Sequence, residues 1–341
     1  MFSDLAPAAL VAMLGVSALV ILVSGLRMTS LADRLADRTG LGEAIAGAVL
    51  LGAATSLAGA VVSGTAALDG RASLAFSNAV GGIAAQTAFL ALADVLHRKA
   101  NLEHAAADLA NVFQGTLLML MLALPLVAFA RGEVAVWSVH PVSLVLVLVY
   151  AGGVYAARNV REEPMWHPVR TRHTREDAPE EETDGAGSTA ALFLGFLGLM
   201  AAMAAAGWVL SNAAGELSDR YALNEATVGA LMTAVITSLP ELVTTLAAVR
   251  RGALQMAIGG IIGGNTFDVL FLTVADAGYR GGSIYHAVGT GDLFWLTIGL
   301  TMTAILTLGM LYRQRHGPAG IGMESILILL VYGCAIATQL P

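Results

Sequence analysis

Charge is scarce in this chain. Only 13% of its 341 residues are Asp, Glu, Lys or Arg, about half the share usual in a soluble domain. Aromatic residues make up 6%, and there is one cysteine, Cys334. A single cysteine excludes an intrachain disulfide and a thiolate zinc site, and in an apolar segment it reads as a small packing residue. No HExxH occurs, and no GxSxG or paired-Asp motif lies in an apolar segment, which speaks against an intramembrane enzyme. No phosphate-binding P-loop occurs either, which speaks against an ATP-driven pump. What remains is apolar: 57% hydrophobic residues and a mean hydropathy of +0.73. Such a chain needs lipid to cover it. The expected class is an all-α membrane protein whose large partner is the bilayer, with no nucleic acid and no cofactor. Abundant Ala and Gly suit closely packed membrane helices.

A membrane helix needs about 20 largely apolar residues. That measure predicts ten spans, near 5–26, 41–67, 72–96, 106–130, 135–157, 189–211, 224–249, 254–276, 289–312 and 320–339. The first apolar run is too long for a signal-peptide core, and no Lys or Arg precedes it, so a retained first span is expected. Residues 28–40 are amphipathic and fit either an interfacial helix or an extension of the first span. Loops after the odd-numbered spans up to the ninth hold 14 of the 18 Lys and Arg; those after spans 2, 4, 6 and 8 hold one each (Arg71, Arg131, Arg220, Arg280). By the positive-inside rule both termini lie outside. The location expected is a bacterial inner membrane. Residues 158–188, with clustered Arg and His and an acidic run from Glu176 to Asp184, read as a solvated cytoplasmic linker. They divide the chain into five-span sets, 1–157 and 189–341.

A shift of 182 residues superposes spans 2–3 on spans 7–8 without gaps. Gly47–Ala48 falls on Gly229–Ala230, Thr55–Ser56–Leu57 on Thr237–Ser238–Leu239, Gly81–Gly82 on Gly263–Gly264, Phe89–Leu90 on Phe271–Leu272 and Ala93–Asp94 on Ala275–Asp276. The copies, about 47–94 and 229–276, are separated by an odd number of spans and so run in opposite directions. Inverted repeats of this kind place a substrate site near the bilayer midplane, where the copies meet.

The second copy carries the chemistry. Residues 237–252 read TSLPELVTTLAAVRRG, and residues 257–272 read AIGGIIGGNTFDVLFL. Ionisable groups at membrane depth are costly and usually line a site, which singles out Glu241 and Asp268. Pro240 predicts a break in its helix, and the half-helix that Glu241 opens favours an ionised carboxylate. With Thr237, Ser238, Thr244, Thr245 and Asn265 nearby, these acids predict a hard oxygen site for an inorganic cation such as Na⁺, Ca²⁺ or H⁺. Ser77 and Asn78 read either as pore-lining residues or as helix contacts. Asp94 and Asp276, near span ends, are expected to be solvated at the interface.

These two stretches resemble the second α-repeat of the sodium/calcium exchanger family, within the cation/calcium antiporter superfamily. The resemblance implies a ten-helix fold of two inverted five-helix repeats. It implies Thr237, Ser238, Glu241, Asn265 and Asp268 as ion ligands, and exchange of Ca²⁺ for Na⁺, H⁺ or K⁺ by alternating access. The first copy departs from that pattern. Gly59 stands where the family has a Glu, Ala58 where it has a Pro, Ile83 opposite Asn265 and Gln86 opposite Asp268. Thr55, Ser56 and Gln86 still offer oxygen, so the site is left with two formal negative charges. Ca²⁺ wants 6–8 oxygens and several charges, so weaker Ca²⁺ binding or a shift toward monovalent exchange is expected. The alternative is a channel-like protein or sensor that binds a cation without exchanging it. The ions and the oligomeric state are not set by the sequence.

Overall fold

A computed structural model of the chain describes residues 2–39, 52–97, 101–106, 108–132, 134–171, 174, 189–315, 317 and 321–339. The start of the second expected span, Gly47–Ala48 with it, and the acidic run 176–184 lie outside the described residues. Among the described residues the fold is helical, apart from a single bridge between Val136 and Val139.

In chain order the helices are α1 (Pro7–Thr39), α2 (Gly52–Leu68), α3 (Ala72–His97), the short α4 (Leu102–Ala105), α5 (Leu109–Phe129), α6 (Pro141–Glu162) and α7 (Thr189–Tyr221). Then follow α8 (Glu225–Thr237), α9 (Leu239–Arg251), α10 (Leu254–Asp268), α11 (Leu270–Gly278), the short α12 (Ile284–Ala287), α13 (Thr290–Tyr312) and α14 (Met323–Gln339). Among the described residues seven segments are long and apolar enough to cross a membrane, with α10 and α11 together forming one of them. The pair α8–α9 makes an eighth if taken as one bent span, and α2 and α14 are shorter apolar helices. The described parts of the expected segments fall on these elements, of which seven, or eight with the bent pair, meet the length and hydropathy of a span.

Burial sorts the helices. In α3 nearly every residue from Ala72 to Asp94 is buried, and its apolar character has almost no sidedness. A helix apolar all round belongs in the centre of a membrane protein. It packs on α2, α8, α10, α13 and α14. By contrast α1, α6 and α7 expose Val16, Leu19, Leu144, Leu148, Phe193 and Leu194, as lipid-facing surfaces do. Helices α1 and α7 pair along their length and bury a second core of Leu10, Ile21, Met28, Phe196, Met203 and Leu210.

Local chemistry sets the helix ends. Asp108 caps α5 through Ala110 N (2.8 Å), Asn224 caps α8 through Ala226 N (2.9 Å), and Gly252 closes α9 with a φ of 87°. A Cβ at Gly81 would run into the Ala230 backbone, and one at Gly229 would stand 2.8 Å from Leu74 O. These two glycines let α3 and α8 cross at backbone contact. Part of α8, Val228–Thr233, is wound as a π-helix at that crossing, a local widening common at functional sites.

Several expectations are corrected. Of the two readings for residues 28–40, the extension of the first span holds for the described residues, with α1 running as one 33-residue helix to Thr39. Pro141 starts α6 at 141, later than the expected 135, because the preceding residues form a tight turn. The span 254–276 is interrupted at Val269. The largest correction concerns Asp94 and Asp276, which are 1% and 0% exposed. Asp94 accepts hydrogen bonds from Leu102 N (2.8 Å) and Gly322 N (2.9 Å). Asp276 accepts them from Ile284 N (3.0 Å), His140 N (2.7 Å) and Ser143 Oγ (2.7 Å). Residues 94, 102 and 322 correspond to 276, 284 and 140 under the same offset of 182. Each carboxylate therefore ties the short helix after its own copy to a helix start in the other half.

Candidate functional site

The site lies where α3 crosses the breaks on either side of α9 and α10. Between α8 and α9 the helix axis bends by 49°, with Ser238 at the break and Pro240 in the first turn of α9. Proline is favoured in a first turn, where its missing N–H would have had no partner. The bend turns the start of α9 toward α3 and delivers Glu241 there, 5% exposed. Asp268, 2% exposed, ends α10 just before the break at Val269.

Two glycines bring the copies together. A Cβ on Gly82 would stand 3.6 Å from Ser238 Oγ and 3.9 Å from Asp268 Oδ2; one on Gly264, its counterpart, would stand 3.5 Å from Gln86 Oε1. Gln86 and Asp268, residues at equivalent places in the two copies, touch each other. Gln86 Nε2 donates to Asp268 Oδ2 at 2.7 Å and to Ser238 Oγ at 3.2 Å. Ser56, the counterpart of Ser238, faces Asp268, though its Oγ closes no hydrogen bond. Thr55 faces Glu241, and Glu241 in turn lies within electrostatic reach of Asp268. Asn265, one turn before Asp268, donates to Thr87 Oγ1 (3.1 Å) and Ile83 O (3.4 Å), Ile83 being its own counterpart.

Of the eight residues singled out by sequence, seven thus meet at this crossing. Thr237 is beside it and buried, but its hydroxyl is spent on Ala234 O of its own helix (3.1 Å). Thr244 likewise bonds to Pro240 O and Glu241 O. Asn78 and Ser77 are helix contacts. Asn78 donates to Gly59 O and Ser63 Oγ and accepts from Thr233 Oγ1, which saturates its amide, while Ser77 donates to Asp292 Oδ1 at 2.7 Å. Sequence reasoning missed Asp292. It takes Ser73 and Ser77 hydroxyls and Gly289 N, and its place in the first turn of an apolar span was the available signal. Thr87, which holds Asn265, carried no signal in the sequence.

Oxygens without donors concentrate here. Glu241 Oε2, Asp268 Oδ1, Gln86 Oε1 and Asn265 Oδ1 are buried and accept no hydrogen bond. Such atoms are costly unless something positive satisfies them. Among the described residues no Lys, Arg or His pairs with either acid. The space a first-copy Glu would use is filled: a Cβ on Gly59 would lie 2.6 Å from Cε2 of the Phe271 ring.

A helical bundle with a buried, acid-bearing oxygen cluster at a pair of broken helices is a membrane protein built around a central polar site. Comparison places it more closely. The family described as sodium/calcium exchanger protein matches residues 9–158 and 191–340, and the chain belongs to that family. Inner membrane protein YrbG of Escherichia coli (strain K12) is 33% identical over 150 residues, 44% of this chain, and the match spans 45% of that relative's length. CaxA of Alkalimonas amylolytica is 26% identical over 307 residues, 88% of this chain and 89% of that one. Among solved structures, the H⁺/Ca²⁺ exchanger CAX shares the fold with a TM-score of 0.68 at 13% identity, over 97% of this chain and 87% of that one. The sodium-calcium exchanger NCX_Mj shares it with a TM-score of 0.62 at 17% identity, over 98% and 99%.

Proposed function

We propose that the chain is a secondary cation antiporter that exchanges Ca²⁺ or another cation against Na⁺ or H⁺ by alternating access. Its ion is held by Glu241 and Asp268, with Ser238, Asn265, Gln86, Thr55 and Ser56 completing an oxygen shell. For Thr237 to join, its hydroxyl must leave the Ala234 carbonyl. The observation that carries this reading is the set of buried acceptor oxygens without donors on Glu241, Asp268, Gln86 and Asn265.

The proposed architecture is ten spans in two inverted sets of five, 1–157 and 189–341. Contacts between residues 182 apart, and matched contacts such as those of Asp94 and Asp276, support it. The proposed orientation, termini outside and residues 158–188 cytoplasmic, rests on the distribution of Lys and Arg. A bacterial inner membrane remains the proposed location, and inorganic cations the proposed small partners.

The first copy tilts the proposed selectivity. Opposite Asp268, Gln86 brings amide N–H groups to Asp268 and Ser238 and no charge. Where a glutamate would reach in, Phe271 fills the space. Two charges neutralise one Ca²⁺ or two monovalent ions, so Ca²⁺ is held less tightly than by three carboxylates and monovalent ions compete better. The test is transport by the purified protein in liposomes under imposed Na⁺, K⁺, Ca²⁺ and pH gradients. Coupled counterflow that Glu241→Gln and Asp268→Asn each abolish is the expected result. Cation flux without counterflow would replace exchange by a channel, and no flux with retained ion binding would leave a sensor.

A further inference from the structure

The offset that pairs Asp94 with Asp276 also exposes a difference between the two ends of the molecule. Around Asp276 the corresponding places are taken by Tyr285, Val142 and Ser143. There Ser143 Oγ donates to the carboxylate at 2.7 Å and meets Tyr285 Oη at 2.9 Å. One acid and two hydroxyls close that cluster. Around Asp94 the counterparts of Tyr285 and Val142 are Glu103 and Glu324, 1% and 5% exposed. The fold does not need acids at these positions, since its other half does without them.

We propose that Glu103 and Glu324 share a proton, so that with Asp94 they form a second cation-binding site, distinct from the central one, whose ligand is H⁺. Both Glu103 oxygens are buried and have no donor, and the Glu103 carboxyl faces that of Glu324. An O–H on one carboxyl donating to the other engages one oxygen of each. Asn101 Nδ2 donates to Glu324 Oε1, which leaves the second Glu324 oxygen as the partner. Glu324 is drawn into the cluster because Gly309 has no Cβ; one there would lie 2.5 Å from Glu324 Cγ.

Among the described residues no base forms an ion pair with the group. Helix α3 brings Asp94, followed by His97; α4 brings Glu103 and His104; α14 brings Glu324. The His104 ring is engaged by Arg313 O and Thr171 Oγ1 (both 2.9 Å), and Arg313 donates to Val169 O and His104 O. Arg315 is exposed. None of the three carboxyls forms an ion pair among the described residues. Burial, reinforced by Asp94 and Glu324, holds the Glu103 carboxyl well above the usual glutamate range. Losing the proton would set like charges together in an unsolvated cluster that joins the start of α4 to the start of α14.

The test needs no transport and so stands apart from the exchange reading. The whole protein in detergent is compared with Glu103→Gln and Glu324→Gln, by infrared spectroscopy and by thermal unfolding against pH. A glutamate whose proton is held in the folded state contributes stability below its unfolded pKa and loses it as pH rises through the raised folded value. Tm of the unchanged protein is therefore expected to fall as pH rises above about 5, past the ordinary glutamate range, with a flatter profile in both variants. The C=O stretch of a protonated carboxyl should weaken in Glu103→Gln. Should Gln at 103 not fold, Glu103→Tyr installs the residue of the equivalent place and reads the same way. An unaltered carboxyl band and unaltered pH slope in the variants would overturn the proposal. So would Ca²⁺ or Na⁺ raising Tm of the unchanged protein but not of Glu103→Gln, because the ligand would then be a metal ion.

Discussion

Restoring the missing acid is the sharpest perturbation of the central site, and the structure says that it will not work alone. In Gly59→Glu even the Cβ lies 2.6 Å from Phe271 Cε2, about 1 Å inside normal contact. Phe271 is itself packed edge-on against Phe267 (centroids 6.2 Å) and is 4% exposed, so the ring cannot simply swing away. Overpacking of this kind costs about 1–3 kcal/mol. Phe271→Ala alone should cost about 3–5 kcal/mol by leaving a cavity. In the double variant the new side chain occupies the vacated space, so the costs should fall short of additivity by about 1 kcal/mol or more. The double variant also adds a third carboxylate. At an effective dielectric of about 20, a unit charge about 4 Å away is worth about 4 kcal/mol to a monovalent ion and twice that to a divalent one. Desolvation removes much of the difference, which leaves a gain in Ca²⁺ over Na⁺ preference of about tenfold to hundredfold. Denaturant unfolding of the four proteins measures the coupling, and Ca²⁺-dependent uptake into liposomes measures the preference. Additive stabilities, or a double variant with unaltered ion preference, would refute the idea that Phe271 occupies the place of a lost ligand.

Other outcomes follow from the same contacts. Glu241→Gln and Asp268→Asn should each weaken apparent cation affinity at least about tenfold, about 1.4 kcal/mol. Thermal unfolding without ions should show stability held or raised, since each removes a buried unpaired charge. Asp276→Asn loses one of the two carboxylate oxygens that accept from Ile284 N, His140 N and Ser143 Oγ, so unfolding should cost about 2–4 kcal/mol less. Gly81→Ala drives a methyl into the Ala230 backbone and should cost about 3 kcal/mol or prevent folding, read by yield of monodisperse protein. Arg71→Ala removes ion pairs to Asp219 and Glu225 at a partly exposed turn and should cost about 1 kcal/mol at low salt, less as salt rises.

Glu241 and Asp268 stood out in the sequence because a carboxylate in an apolar stretch is costly, the structure buries both at one crossing, and Pro240 announced the break that presents Glu241. The repeat was legible because TSL, GG, FL and AD recur at one offset. The burial of Asp94 and Asp276 was not legible, because a sequence shows position along a span, whereas solvation depends on what packs across it. Backbone N–H groups of helix starts more than a hundred residues away surround these acids (Gly322 for Asp94, His140 for Asp276). Thr87, Phe271 and Glu103 gave no signal for the same reason: their roles exist only through residues from the other half of the chain.

Membrane residence, helix placement, the duplicated pattern and the charge count of the second copy follow from the order of residues, because hydropathy and helix breaking act over a few turns. The pairing of Gln86 with Asp268, the ring in the place of a glutamate and the three-acid cluster at α4 were decided by how the halves face each other. Contacts between elements so distant in the chain are set by packing shape, which no local stretch of sequence encodes.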